Sequence, residues 1–164
     1  MILFKTLLFS ILVPGTVVGV VPYLLLTRRP ELPGIGLGVM RYTGIVPLLG
    51  GLLFYLASAW YFVEQGKGTP APIDPPKLLV TSGPYRFVRN PMYVGGVLIL
   101  LGESILFASI VLLLYLCLIW LAFHLFIVFY EEPHLRKVFG AEYEEYCRDV
   151  RRWVPGLRRI VGEK

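Results

Sequence analysis

The amino-acid sequence predicts an all-α integral-membrane fold of about four transmembrane helices, including a C-terminal helical hairpin followed by an amphipathic cytoplasmic tail helix. The first observation is composition, because 56% of the 164 residues are apolar and only 16% are charged, against roughly 25% charged in soluble domains. The second is that long stretches carry no charge, and the third is that basic residues cluster on one side of them. A chain this short cannot hide so much apolar surface from water, so we expect one membrane domain over residues 1–164.

The N-terminal part, residues 1–64, contains two predicted spans. Residues 6–27 and 42–63 carry no charge, and each run of about 22 residues is long enough for a helix to cross a hydrocarbon core of about 30 Å. The first run is interpreted as a retained span because it is too long for a usual signal peptide and lacks a clean cleavage site. Within it, Gly15 and Gly19 have the spacing that allows close approach of a neighbouring helix.

A hairpin of two further spans is predicted for residues 91–130. This run is apolar apart from Glu103 and His124, and as one helix it would be about 60 Å long, twice the bilayer core. We expect the tip near residues 103–109, with Glu103 either wetted or paired with an arginine. His124 is interpreted as a hydrogen-bonded core histidine or as part of an acceptor pocket. The hairpin brings the segment before it close to the segment after it.

The segments that flank the hairpin are predicted to lie on the cytoplasmic side. Residues 65–90 are rich in Pro and Gly, which is typical of a connector or a lid. Residues 131–164 carry apolar side chains at helical spacing and predict an amphipathic helix at the interface, with a break at Gly140 and Trp153 as an anchor. All but three Lys and Arg residues then fall on this side with both termini. The exceptions are Arg28, Arg29 and Arg41.

Neither a metal site nor a nucleic-acid surface is predicted. Cys117 lies in an apolar run and Cys147 in the charged tail, and neither belongs to a CxxC or Cys/His cluster. The net charge of +5 contains no long basic run, so we expect membrane lipids, and no nucleic acid, to be partners of the basic residues.

Two polar clusters are expected to meet at the open end of the hairpin. One lies within residues 83–96 and the other contains the adjacent carboxylates of Glu131 and Glu132. A structural interpretation pairs Arg89 with Glu131 where the helix leaves the membrane. A functional interpretation is an S-adenosylmethionine site, with Arg89 on the carboxylate and the glutamates on the ammonium, ribose or sulfonium. The aromatic and small residues of that site are Tyr85, Tyr93, Gly95 and Gly96.

Residues 79–156 carry an ordered series of motifs. They are Arg89-Asn90-Pro91-Met92-Tyr93-Val94-Gly95, then Glu131-Glu132 after the hairpin, then Leu135 and Phe139-Gly140-Ala141-Glu142-Tyr143-Glu144-Glu145-Tyr146. This series resembles the isoprenylcysteine carboxyl methyltransferase and phospholipid methyltransferase superfamily of integral-membrane enzymes. The family pattern is Arg-His-Pro-x-Tyr-x-Gly, a hydrophobic hairpin, Glu-Glu, Leu and Phe-Gly-x-x-Tyr-x-x-Tyr. The resemblance covers about half of the chain.

The resemblance implies an enzyme that transfers the methyl group of S-adenosylmethionine to a lipophilic acceptor. The acceptor is expected to enter from the lipid, and the cofactor to bind on the cytoplasmic side. The implied cofactor residues are Tyr85, Arg89, Asn90, Pro91, Tyr93, Gly95, Glu131 and Glu132. The catalytic candidates are Glu132, as a base, and Arg152, folding back toward an acidic acceptor.

Asn90 stands where the family pattern has histidine. An asparagine cannot act as a base, and a carboxylate acceptor needs none because it is ionised at neutral pH. The leading acceptor is therefore a carboxylate of a prenylated or lipid-like molecule. The alternative is a phospholipid headgroup amine, for which Glu132 and His134 are the nearest bases. Two other classes stay open: an NADPH-dependent membrane reductase and a non-enzymatic membrane scaffold.

Overall fold

The computed structural model describes residues 12–28, 36–66 and 77–155, and all regular secondary structure within these residues is helical. The helices are α1 Leu12–Arg28, α2 Gly38–Gly66, α3 Pro91–Leu106, α4 Ile110–Phe139 and α5 Ala141–Asp149. A 3₁₀ turn, Gly83–Arg86, precedes α3. The all-α class predicted from the sequence is confirmed. The predictions for residues 1–11, 29–35, 67–76 and 156–164 lie outside the described residues.

Two helices are long and apolar enough to cross a membrane. They are α2, with 29 residues and a mean hydropathy of 1.7, and α4, with 30 residues and a mean hydropathy of 2.7. Their apolar side chains face outward, because only 11% of the most apolar stretch of each helix is buried inside the protein. Leu53 and Leu114, for example, are 68% and 64% exposed. Such outward-facing apolar surface is that of a membrane protein. The other two apolar helices, α1 and α3, are shorter.

The helices α2 and α3 pack backbone to backbone through glycines. A Cβ atom at Gly51 would lie 2.7 Å from the backbone oxygen of Gly95, and one at Gly44 would lie 2.5 Å from that of Gly102. The pairing of 44 with 102 and of 51 with 95 makes the two helices antiparallel. The seven-residue spacing keeps both contacts on one face of each helix. We call this contact the glycine seam.

The close approach predicted for the first span is wrong at Gly19. A Cβ atom at Gly19 would meet no atom within 4 Å among the described residues. Instead α1 is tied to α4 by Tyr115, whose hydroxyl donates a hydrogen bond of 3.0 Å to the carbonyl of Val17. Val17 lies in a π-helical turn, Thr16–Val20.

The hairpin of α3 and α4 has its tip where the hydropathy pattern predicts it. The turn contains Ala108, with a positive φ of 48°, and Ser109, whose side chain accepts a hydrogen bond from the amide of Leu112. Glu103 lies in the last turn of α3, and one of its carboxylate oxygens is buried without a hydrogen-bond partner. Among the described residues it forms no ion pair, so pairing with Arg28 or Arg41 is not observed.

The helix α4 does not end at residue 130, where the tail was expected to begin. It continues through a π-helical turn, Ile127–Glu131, and ends at Phe139. Gly140, with a φ of 52°, then separates α4 from α5, as the sequence predicts. Tyr143 and Tyr146 of α5 are buried with Val150, so this face of the tail helix packs against the bundle.

Alanine at Gly51 tests the glycine seam. We expect Gly51→Ala to lower the free energy of unfolding by about 1–3 kcal/mol, because the new methyl group overlaps the α3 backbone. Gly50→Ala is the matched control, since a Cβ there meets nothing within 4 Å. The control should be neutral or more stable by up to about 1 kcal/mol. Denaturant unfolding of both variants in detergent is the measurement, and equal stability would contradict the seam.

Candidate active site

A cavity of about 530 Å³ lies between the helices at the end where α3 begins. Its volume falls within the range of about 300–1,000 Å³ that is usual for small-molecule sites. Six of the residues that the sequence assigns to the cofactor line it. They are Tyr85, Arg89, Asn90, Pro91, Tyr93 and Glu131. The fold therefore brings together residues that are up to 46 positions apart in the printed sequence.

The start of α3 is shaped by a glycine and a proline. Gly83 has a φ of 57°, and its backbone lies directly against the ring of Tyr61 on α2, so a side chain has no room there. Pro91 begins α3, where its fixed φ suits a first helical turn and its missing N–H is not needed. Arg89 and Asn90 lie between Gly83 and Pro91, in a non-helical turn immediately before α3.

Tyr93 and Glu131 form a hydrogen-bonded pair in the cavity wall. The Tyr93 hydroxyl donates to the Oε2 atom of Glu131 over 2.8 Å, and its ring packs edge-on against Phe123 with centroids 4.9 Å apart. The bond joins α3 to the π-helical turn of α4. The ion pair expected between Arg89 and Glu131 is not observed, because Arg89 pairs with Glu132 instead.

Glu132 is buried among three arginines and is only 2% exposed. The Arg152 guanidinium donates two hydrogen bonds to its carboxylate, of 2.7 and 2.9 Å. Arg89 lies 3.4 Å and Arg136 3.9 Å from the same carboxylate. Arg136 is also bound to Glu144 at 2.7 Å. We call these five residues the arginine–glutamate cluster.

The cluster places the two predicted catalytic residues differently from the expectation. Neither Glu132 nor Arg152 lines the cavity. The two side chains neutralise each other, and the bond to Glu132 raises the pKa of Arg152 above its usual value. Glu132 thus lies beside Arg89 and is bound to Arg152, and both Glu132 and Arg152 are outside the cavity lining.

The cavity wall contains one cationic and one carboxylic side chain, Arg89 and Glu131, and positive charge is in excess around Arg89. The cluster contains three guanidinium groups and two carboxylates, which leaves one positive charge in excess. Arg89 is the only Lys or Arg among the described residues that line the cavity. Its Nη1 donates to the sulfur of Cys147, while its Nε is buried with no partner in the described part of the chain. A buried donor of this kind carries a free-energy cost as long as it lacks an acceptor.

Two tyrosines outside the spans close the cavity as neutral phenols. Burial raises the pKa of Tyr85 well above its ordinary value, and the negative charge of Glu131 raises this pKa further. Burial also raises the pKa of Tyr146, whose hydroxyl donates a 2.7 Å hydrogen bond to the carbonyl of Tyr85. Both side chains thus stay protonated at neutral pH and keep their hydrogen-bonding protons.

The two glycines of the site have different surroundings. Gly95 does not line the cavity, because it belongs to the glycine seam and faces Gly51 and Tyr55 of α2. The structure thus places Gly95 in a packing contact with α2, outside the cavity lining. Gly96 does line the cavity, and a Cβ atom there would have ordinary contacts of 3.9 Å with Phe123 and 4.0 Å with Val18.

Comparison with known proteins places the chain in a family. A family model described as phospholipid methyltransferase matches residues 39–142, from the start of α2 to the start of α5. The chain belongs to the phospholipid methyltransferase family. The superfamily resemblance drawn from the motifs is thereby confirmed. The family match contains all six of the cavity-lining residues that the sequence assigned to the cofactor.

Part of the chain is similar in sequence to methyltransferases that have been named in other organisms. It is 37% identical over 78 residues to the protein-S-isoprenylcysteine O-methyltransferase of Schizosaccharomyces pombe, covering 48% of this chain and 33% of the relative. A probable protein-S-isoprenylcysteine O-methyltransferase of Oryza sativa subsp. indica is 34% identical over 77 residues, covering 47% and 40%. Phosphatidylethanolamine N-methyltransferase B of Dictyostelium discoideum is 38% identical over 61 residues, covering 37% and 30%. The matches thus span 30–40% of the length of these relatives. No solved structure matches the chain significantly.

Sequence reasoning missed much of the cavity wall of this family member. The apolar lining from α1 and α2 includes Val17, Val18 and Phe62, which no motif marks. Tyr143 and Tyr146 of α5 were interpreted as the apolar face of an interfacial helix, although they also belong to the tyrosine motif of the superfamily. That motif was the signal that could have found them.

Replacement of Glu132 tests the arginine–glutamate cluster. We expect Glu132→Gln to lower the free energy of unfolding by about 3 kcal/mol, because Arg89 and Arg152 then lose their counter-charge in a buried setting. Glu142→Gln, at an exposed position of α5, is the control and should change stability by less than about 0.5 kcal/mol. Denaturant unfolding in detergent gives both values. A loss at Glu132 no larger than that of the control would show that the cluster does not stabilise the fold.

Proposed function

We propose that this chain is an integral-membrane methyltransferase that binds S-adenosylmethionine in the cavity and methylates a lipophilic acceptor. One observation carries the proposal. Arg89, with a buried Nε that lacks a partner in the described chain, lines the same apolar cavity as the Tyr93–Glu131 pair. A cation and an anion thus share one cavity, which suits a ligand that carries both a carboxylate and an ammonium. Membership of the phospholipid methyltransferase family supports the same activity.

The cavity residues fit the cofactor group by group. Arg89 would bind the carboxylate, and Glu131 would bind the ammonium with its orientation set by the Tyr93 hydroxyl. Tyr85, a neutral phenol, offers an aromatic face to the adenine or to the sulfonium. When bound, S-adenosylmethionine supplies an electrophilic methyl group and leaves as S-adenosylhomocysteine. The chain's contribution is to hold the reacting groups close together in a cavity that excludes water.

The apolar part of the cavity suits the hydrocarbon portion of an acceptor. Val17 and Val18 of α1 line it together with Phe123 and Phe126 of α4. The leading acceptor is the carboxylate of a prenylated or otherwise lipid-like molecule, which is already ionised and requires no base. This choice is supported by Asn90, which cannot accept a proton, and by the relatives named isoprenylcysteine O-methyltransferases.

The amine of a phospholipid headgroup is the second candidate acceptor. It is favoured by the relative named phosphatidylethanolamine N-methyltransferase B and by His134, which lines the cavity and can accept the proton an ammonium must lose. NADPH is disfavoured as cofactor, since a second Lys or Arg for its extra phosphate is absent from the described lining. A non-enzymatic scaffold is disfavoured by the match to a family model described as phospholipid methyltransferase.

The membrane topology proposed for this enzyme has four spans with both termini and the cofactor site in the cytoplasm. The glycine seam joins Gly44 to Gly102 at one end and Gly51 to Gly95 further along, and this close packing of α3 beside α2 supports a span at α3. The bond between Tyr115 and Val17 likewise keeps α1 beside α4. The excess of Lys and Arg on the side of the linker and tail sets the orientation.

Binding of S-adenosylhomocysteine tests the cofactor site. We expect saturable calorimetric binding to the detergent-purified chain, weakened about tenfold or more by Arg89→Lys and by Glu131→Gln, because each change removes a charge-assisted or bidentate contact. Arg86→Ala is the matched control, since Arg86 is an exposed arginine three residues away that does not line the cavity.

The outcome decides between classes of protein. A folded wild-type chain that does not bind S-adenosylhomocysteine would overturn the methyltransferase proposal. Binding of NADPH by the same sample would then favour a reductase, and binding of neither would favour a scaffold. Equal weakening by Arg86→Ala would show that loss of surface charge, rather than loss of the cavity contact, lowers the affinity.

Transfer of labelled methyl groups tests the acceptor. We expect a small S-prenylated cysteine derivative with a free carboxylate to become labelled, and its carboxamide analogue, which has no ionised oxygen nucleophile, to stay unlabelled. Phosphatidylethanolamine in the same micelles is the competing acceptor. Labelling of the phospholipid alone, together with its loss in His134→Gln, would assign the amine reaction instead.

A further inference from the structure

The C-terminal residues 151–153 cross the start of α3 and bind it through their backbone. The Arg89 amide donates a 2.9 Å hydrogen bond to the carbonyl of Arg151. The Asn90 side-chain amide lies 3.4 Å from the carbonyl of Arg152 and donates to it. We call residues 151–153 the C-terminal strap. Through it, two residues of the cavity wall depend on a segment about 60 positions away in the sequence.

Trp153 anchors this strap to the membrane helix α4. Its indole N–H donates a 3.2 Å hydrogen bond to the Nδ1 atom of His124. The His124 ring is stacked on Trp120, with centroids 5.5 Å apart and an angle of 16° between the planes, and Trp153 lies 5.9 Å from Trp120. None of these three residues lines the cavity. Trp153 therefore contacts α4 rather than serving only as a free interfacial anchor.

The strap also carries the cation that neutralises the buried carboxylate of the cluster. Arg152 lies between Arg151, whose carbonyl binds the Arg89 amide, and Trp153, whose indole binds α4, and the Arg152 guanidinium holds Glu132. Loss of the indole anchor would release the carbonyl that fixes the Arg89 amide and the guanidinium that balances Glu132. Both changes act on Arg89, the cation of the cavity.

We propose that Trp153 and His124 are positioning residues for the cofactor site, acting from outside the cavity by holding the C-terminal strap against Arg89 and Asn90. This inference rests on the proposed function for the ligand, but the strap itself is tested without one. It also gives Asn90 a role that requires a hydrogen-bond donor and no base. The amide nitrogen donates to a backbone carbonyl, which positions the turn before α3.

The first arm of the experiment measures hydrogen exchange in the full chain without ligand. In Trp153→Ala we expect the Arg89 amide to exchange about tenfold faster or more, because its acceptor carbonyl is no longer held in place. Trp60→Ala is the matched control, since Trp60 is a tryptophan of α2 that is 61% exposed. Its exchange at Arg89 should equal that of the wild-type chain.

The second arm measures S-adenosylhomocysteine affinity and the kinetic constants of methyl transfer. In Trp153→Ala we expect the Kd and the KM for S-adenosylmethionine to rise about tenfold while kcat changes less than about threefold, because a contact shared by ground and transition states is weakened. Trp60→Ala should leave all three values unchanged. A general loss of stability would lower the active fraction without this split between KM and kcat.

Conservative variants keep the test decisive if Trp153→Ala does not fold. Trp153→Phe and His124→Phe each keep an aromatic ring and remove one partner of the indole–imidazole hydrogen bond. Each should weaken binding less than Trp153→Ala, and the double variant should be no weaker than the worse single one, since both remove the same bond. Additive effects would contradict a shared contact.

Failure of this inference is distinct from failure of the proposed function. Wild-type exchange at Arg89 together with wild-type affinity in Trp153→Ala would overturn the strap as a positioning element. A wild-type chain that binds no S-adenosylhomocysteine would overturn the cofactor site. The exchange arm would then still decide whether Trp153 holds the turn before α3.

Discussion

A carboxylate buried at the end of a membrane helix must be neutralised, and the surroundings of Glu132 follow from that requirement. Its three arginines come from three places: Arg89 before α3, Arg136 one turn further along α4, and Arg152 after α5. Each cation brings its own segment to the same point, so one charge gathers the turn, the hairpin and the tail. The cavity next to Glu132 exists because those segments meet there. Glu131, its neighbour in the chain, is left to face the cavity.

The glycine seam provides the rigid wall on which this arrangement is built. Contact between the backbones of α2 and α3 brings Tyr55 and Phe62 of α2 into the cavity lining together with Tyr93 of α3. Larger residues in the seam would separate the helices and widen the space between those rings. The polar cluster and the apolar seam thus fix opposite sides of one site, by charge on one side and by small volume on the other.

Much of this could be predicted from sequence because hydropathy and motif order are local properties. The apolar run over 91–130 predicts the hairpin and its tip, and the motif order predicts Arg89, Tyr93 and Glu131 in one site. The partner of Arg89 could not be predicted, because adjacent glutamates differ only in the face of α4 that they occupy. Gly95 belongs to a motif yet packs on α2, since spacing does not reveal which side of a helix a neighbour covers. The contact of Trp153 with His124 joins positions that no periodicity links.

The π-helical turn Ile127–Glu131 affects both the length of α4 and the direction in which the residues after the turn face. A π turn accommodates one residue more than an α turn, and one residue rotates an α-helix by about 100°. Removing one residue there would restore α geometry and leave Glu132 and the rest of α4 close to their present phase, because the wide turn is what accommodates the additional residue. When family members are aligned, a one-residue gap at this turn is therefore compatible with the same site, whereas a one-residue gap in the α-helical part of α4 would turn the Glu pair about 100° away from Tyr93 and the arginines. Insertions in the hairpin tip carry no such meaning.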